Sequence, residues 1–239
     1  MTLHEILLML IPAVVALAGG LLAARWHPSH KARSLIQHFA AGVVLAALAV
    51  EVFPEIDREH APRFVLLGAF ALGSLAMYGL KLITESLEAS RGARETAPAG
   101  LVLATFTDVA IDGLIIGAGF AAGGETGPVL ALGLSVELLF LGLALTSDQP
   151  GGWRIVLLSA GLGLTVFAGA VAGKMLLAGA SVAVVSGALA CGAAALLYLV
   201  TEELLMEAHE RKETDTPVAT LVLFAGFFCF WAVQLAGRH

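Results

Sequence analysis

The chain has 239 residues, of which 59% are hydrophobic and 13% charged, with a formal net charge of −6 and a mean hydropathy of +0.91. Soluble domains carry about 25% charged residues, and here the deficit runs along the whole length, so an all-α polytopic membrane protein is expected. No basic stripe accompanies the net negative charge, which excludes a nucleic-acid partner.

Polar punctuation marks off eight apolar runs, at about 4–24, 35–54, 62–85, 98–121, 127–146, 153–175, 178–206 and 217–236. Each is near the ~20 residues a helix needs to cross the hydrocarbon core. A β-barrel would alternate with a period of two instead of running continuously apolar. The first run is longer than a signal-peptide core and lacks a basic leader, so it reads as a retained helix. All connections are short, and residues 1–239 form one transmembrane domain. Cys191 and Cys229 lie singly inside apolar runs and read as packing residues.

The basic residues set the orientation. Arg25, Lys31, Arg33, Lys81, Arg91, Arg94, Arg154, Arg211 and Lys212 fall on one side, nine in all. Arg58, Arg63, Lys174 and Arg238 fall on the other. The positive-inside rule then puts both termini outside the cytoplasm.

The acids inside the apolar runs carry the chemistry. Span 4 holds Thr107-Asp108-Val109-Ala110-Ile111-Asp112-Gly113. Its two carboxylates are i, i+4 and therefore share one helix face. Each costs ~2.5–3.5 kcal/mol at the centre of a spanning helix, and no Lys or Arg in the span offsets them. Glu137 lies near the middle of span 5. Three acids near mid-depth supply hard oxygen ligands for a divalent cation. Glu51-x-x-x-Glu55 in span 2 runs toward the outside, and Glu203-x-x-x-Glu207 in span 7 runs toward the inside, followed by His209. Similar acid pairs on oppositely directed helices are what inverted repeats produce. The expected metal-path residues are thus Asp108, Asp112 and Glu137 at the centre, Glu51 and Glu55 outside, and Glu203, Glu207 and His209 inside. No nucleophile–base pair occurs at membrane depth, so no enzymatic activity is expected.

With these residues placed, the chain resembles the ZIP family of divalent-metal transporters, as a divergent bacterial-type member. The family's fourth helix carries His-Asn-x-Pro-Glu-Gly, and Asp108-Val109-Ala110-Ile111-Asp112-Gly113 falls at the same place with the same spacing. Asp108 then stands where the family has its ligand His, and Asp112 where it has its ligand Glu. Glu137 matches the first position of the His/Gln-x-x-x-Glu pair in the fifth helix, with Leu141 at the second. Glu203-Leu204-Leu205-Met206-Glu207 is similar to the family's Glu-Leu-x-Pro-Glu. The resemblance implies eight helices, both termini outside, and uptake of zinc or iron. Val109 and Leu141 replace ligands of the family's second metal position, which leaves one site. The oxygen-only ligand set here adds manganese to the candidates. The metal is the transported substrate, and no organic cofactor is expected. The partners are the bilayer and metal ions, with a homodimer left open. A non-transporting metal sensor and a proton-coupled carrier for another cation stay as alternatives.

Overall fold

A computed structural model of the chain describes residues 1–25, 29–91, 98–144, 152–202 and 217–237. Their regular secondary structure is entirely helical, with no strands among them. The helices are α1 (Leu3–Ala23), α2 (His30–Ala47), a π-helical turn (Leu48–Val52), α3 (Phe53–Arg58), α4 (Arg63–Arg91), α5 (Pro98–Ala122), α6 (Thr126–Ala144), α7 (Gly152–Leu177), α8 (Val182–Leu199) and α9 (Pro217–Gly237).

Local chemistry accounts for the starts and breaks. Thr2 caps α1 through a capping box, its Oγ1 accepting from the Glu5 amide at 3.3 Å while Glu5 Oε2 accepts from the Thr2 amide at 2.8 Å. Ser29 caps α2 in the same way, at 3.3 Å from the Ala32 amide. The second span changes to a π turn just before Pro54. Proline has no amide to give the carbonyl four residues back and its ring crowds that carbonyl; a widened turn relieves both problems. The seventh span also widens, at residues 200–202, where Thr201 Oγ1 donates to the carbonyls of Leu197 and Tyr198 at 2.9 Å. Gly123 and Gly124, at φ +91° and +59°, make the tight turn into α6.

Seven stretches among the described residues are long and apolar enough to cross a membrane, and the chain is an integral membrane protein. The remaining apolar helix, Thr126–Gly142 in α6, is shorter. Compared with the apolar runs in the sequence, α4 continues past residue 85 to Arg91, and the second span reaches Arg58 rather than residue 54. Hydropathy marks where lipid ends, whereas the backbone ladder of hydrogen bonds can continue into water.

The packing has an internal two-fold pattern. The principal packed pairs are α1 with α6, α5 with α7, α1 with α7, α2 with α9, α4 with α8, α2 with α6, α5 with α8 and α5 with α6. This set maps onto itself when α1 exchanges with α7, α2 with α8, α4 with α9 and α5 with α6. Burial follows the same exchange. It is 33% for the spans of α1 and α7, 61% for those containing α2 and α8, and 11% for α4 and α9. Exchanged helices have opposite directions along the chain, so the repeats are inverted. α1, α5, α6 and α7 form one packed group, flanked by the α2–α9 and α4–α8 pairs.

Glycines set the tightest approaches. A Cβ on Gly113 would lie 2.5 Å from the Val166 carbonyl oxygen, and one on Gly117 would lie 2.4 Å from that of Ala170. Gly169 and Gly173 face them from α7 with equally little room. Lipid offers no hydrophobic drive between helices, so such backbone-to-backbone contact carries much of the association. An ion pair between Lys174 and Glu5 further ties α7 to α1, with Lys174 Nζ 5.7 Å from the centroid of the Phe120 ring.

Candidate metal centre

Asp108, Asp112 and Glu137 line one cavity. It holds about 60 Å³ and lies between α2, α5, α6 and α8. α5 contributes Thr105, Asp108, Val109 and Asp112; the i, i+4 spacing of the aspartates puts both on the cavity wall. α6 adds Glu137, Phe140 and Leu141, α2 adds Gln37 and Ala40, and α8 adds Leu199. Asp112 is 4% exposed and Glu137 8%, while Asp108 is half-buried. All three acids take part in polar or electrostatic interactions. Among the described residues, the lining contains no Lys, Arg or His.

The cavity is off-centre. Thr105 is near the start of α5, Gln37 near the start of α2, and Leu141 and Leu199 near the ends of α6 and α8. These positions belong to the end of the bundle at which residues 92–97 and 145–151 connect the helices, here called the near end. Toward the far end the same helices close up. Ile116, one turn beyond Asp112, is completely buried, as are Val52, Leu130 and Ala131.

An acidic cavity with apolar walls and no basic side chain in its described lining favours a cation, since carboxylates out of water need a compensating charge. The amide of Gln37 and the hydroxyl of Thr105 add neutral oxygens to the wall. Among the described residues, no group of three or more His, Cys, Asp or Glu side chains is arranged as a ready metal cage. The acids share a cavity rather than converging on one point.

The other expected path residues are placed differently. Glu51 is 5% exposed and does not line the cavity. Its carboxylate accepts from Thr126 Oγ1 at 3.1 Å and from Gln234 Nε2 at 2.8 Å. Glu55 is buried and bridges to Arg58 at 3.5 Å, also away from the cavity. Glu203, Glu207 and His209 lie outside the described residues. The neighbouring Glu202 makes an ion pair with Lys81 of α4. His38, at 3% exposure, has Nδ1 2.8 Å from the Ser34 carbonyl oxygen, which assigns that nitrogen the proton.

Gln37, Thr105, Thr126 and Gln234 did not stand out in the sequence. Thr105 could have been found, because it precedes Asp108 by three residues on the same helical face. Gln234 is a lone amide in an apolar run, a costly placement that signals a partner. Compared with known protein families and with characterised proteins, the chain matches none.

Proposed function

We propose that the chain is a secondary transporter, similar to the ZIP family, that carries a divalent metal (zinc, iron or manganese) into the cytoplasm of a bacterial cell. In this reading it spans the inner membrane eight times, α6 being the shortest span, with both termini outside. One observation carries the reading. Asp108, Val109, Asp112, Glu137 and Leu141, the positions that match the family's metal-binding motifs on two helices, all line a single cavity with no basic residue among its described lining. Asp108, Asp112 and Glu137 supply anionic oxygens, Gln37 and Thr105 supply neutral ones, and water completes the shell. Hard oxygen ligands of this kind suit manganese and ferrous iron. Val109 and Leu141 offer no ligand atom, so one ion is carried at a time. Alternating access comes from motion of the α1, α5, α6, α7 group against the flanking pairs, because the cavity lies where these units meet.

The test is metal uptake into proteoliposomes loaded with a metal-quenched dye. The parent protein should take up manganese or ferrous iron, and Asp112→Asn should lower the rate at least tenfold. Metal binding without flux would replace the transporter with a sensor. Flux of protons or organic cations with no metal flux would replace it with a different carrier.

A further inference from the structure

We propose that Glu51 and Thr126 form a latch that holds the far end of the bundle shut while the cavity occupies the near end. The proposal rests on the alternating-access reading above and assigns it a specific closing contact.

Glu51 sits inside the π turn Leu48–Val52, at 5% exposure, toward the end of the bundle opposite the cavity. π turns insert an extra residue into a helix and re-aim the side chains around it, and they recur at functional positions. Here the turn directs a carboxylate from the second span toward two donors. Gln234 Nε2, on α9, donates to Oε2 at 2.8 Å. α9 belongs to the same flanking pair as α2, so this contact orients the carboxylate within that pair. Thr126 Oγ1 donates to Oε1 at 3.1 Å from the first turn of α6. Thr126 is 1% exposed and belongs to the central group. The Thr126 contact therefore crosses between the flanking pair and the group holding Asp108, Asp112 and Glu137. Opening the far end along this seam has to break it.

The inverted repeat supports a role tied to the seam rather than to local packing. Exchanging α2 with α8 and α9 with α4 carries the Glu51–Gln234 contact onto a counterpart at the other π turn, where Glu202 meets Lys81 of α4. Each widened turn thus presents an acid to the outer helix of its own pair, at opposite ends of the bundle. At the far end the acid also reaches across to α6.

Cysteine accessibility tests the latch without any metal or flux. In nanodiscs both faces meet a charged, membrane-impermeant maleimide. In a background with Cys191→Ala and Cys229→Ala, Thr105→Cys reports the near end and Ile116→Cys the far end. With Thr126 intact, Thr105→Cys should react quickly and Ile116→Cys slowly. Thr126→Val keeps the side-chain shape and removes the donor; it should speed Ile116→Cys modification at least tenfold, while Thr126→Ser, which keeps the hydroxyl, stays at the parent rate. Gln234→Leu releases the carboxylate from its orienting partner and should also accelerate Ile116→Cys, giving an independent route if Thr126→Val does not fold. An Ile116→Cys rate within twofold of the parent in these variants overturns the latch, and so does equal acceleration by Thr126→Ser, which would indicate packing alone. If the latch responds as expected but liposomes take up no metal, the latch stands and the metal-transport reading fails.

Discussion

Asp112 is the residue on which the candidate site turns most. It is nearly inaccessible, stands one turn from Asp108, and shares with Glu137 a cavity whose described lining has no basic group. Asp112→Asn keeps the shape and removes the charge. Thermal melting of the metal-free protein in detergent should therefore show Asp112→Asn at least as stable as the parent, even though uptake collapses. A clear drop in melting temperature would instead mean that the carboxylate is kept for structure. The costly placement of Asp108, Asp112 and Glu137 in apolar runs made them legible in the sequence. Glu51 was legible for the same reason, but its contacts were not. Its oxygens meet Thr126 and Gln234, residues 75 and 183 positions away along the chain. No local pattern encodes a contact of that range.

At the scale of helices, the strongest constraint is the glycine seam between α5 and α7. A methyl group on Gly117 would meet the backbone of Ala170 and Lys174 at 2.4 and 2.6 Å. Backbone cannot rotate aside as a side chain can, so Gly117→Ala should push the helices apart and cost about 1–3 kcal/mol, seen as a lower melting temperature. Gly68→Ala is the matched control. Nothing lies within 4 Å of its Cβ position, and the added methyl raises helix propensity by up to about 1 kcal/mol, so its melting temperature should stay level or rise. The sequence showed these glycines as small residues suited to close packing, and it showed the helices themselves through their long apolar runs. It did not show which helices would meet. The π turns were also hidden: Pro54 follows the widened turn in the second span, but in the seventh no proline marks the widening at 200–202.

For the whole molecule, topology is the claim most open to direct measurement. The charge bias of nine basic residues against four requires the turn at Ser181 and the link at Thr96 to lie on opposite sides. In intact cells, Ser181→Cys should react with an impermeant maleimide, whereas Thr96→Cys should react only after permeabilisation. The reverse labelling would turn the protein over and make the cavity face outward.

The inverted pairing of helices has an energetic consequence. Where two halves of a bundle pack by the same rules in opposite directions, interchanging their conformations yields a second arrangement with nearly the same set of helix contacts. Contacts common to both arrangements cancel from the difference between them, and only the places where the halves are chemically unequal contribute. One such inequality is plain: the acid at one widened turn faces a neutral amide, Gln234, and the acid at the other faces an ammonium, Lys81. The resting preference for one arrangement is then a small quantity governed by a few side chains, and substitutions at Gln234 or Lys81 should shift it in opposite senses while leaving the rest of the bundle intact.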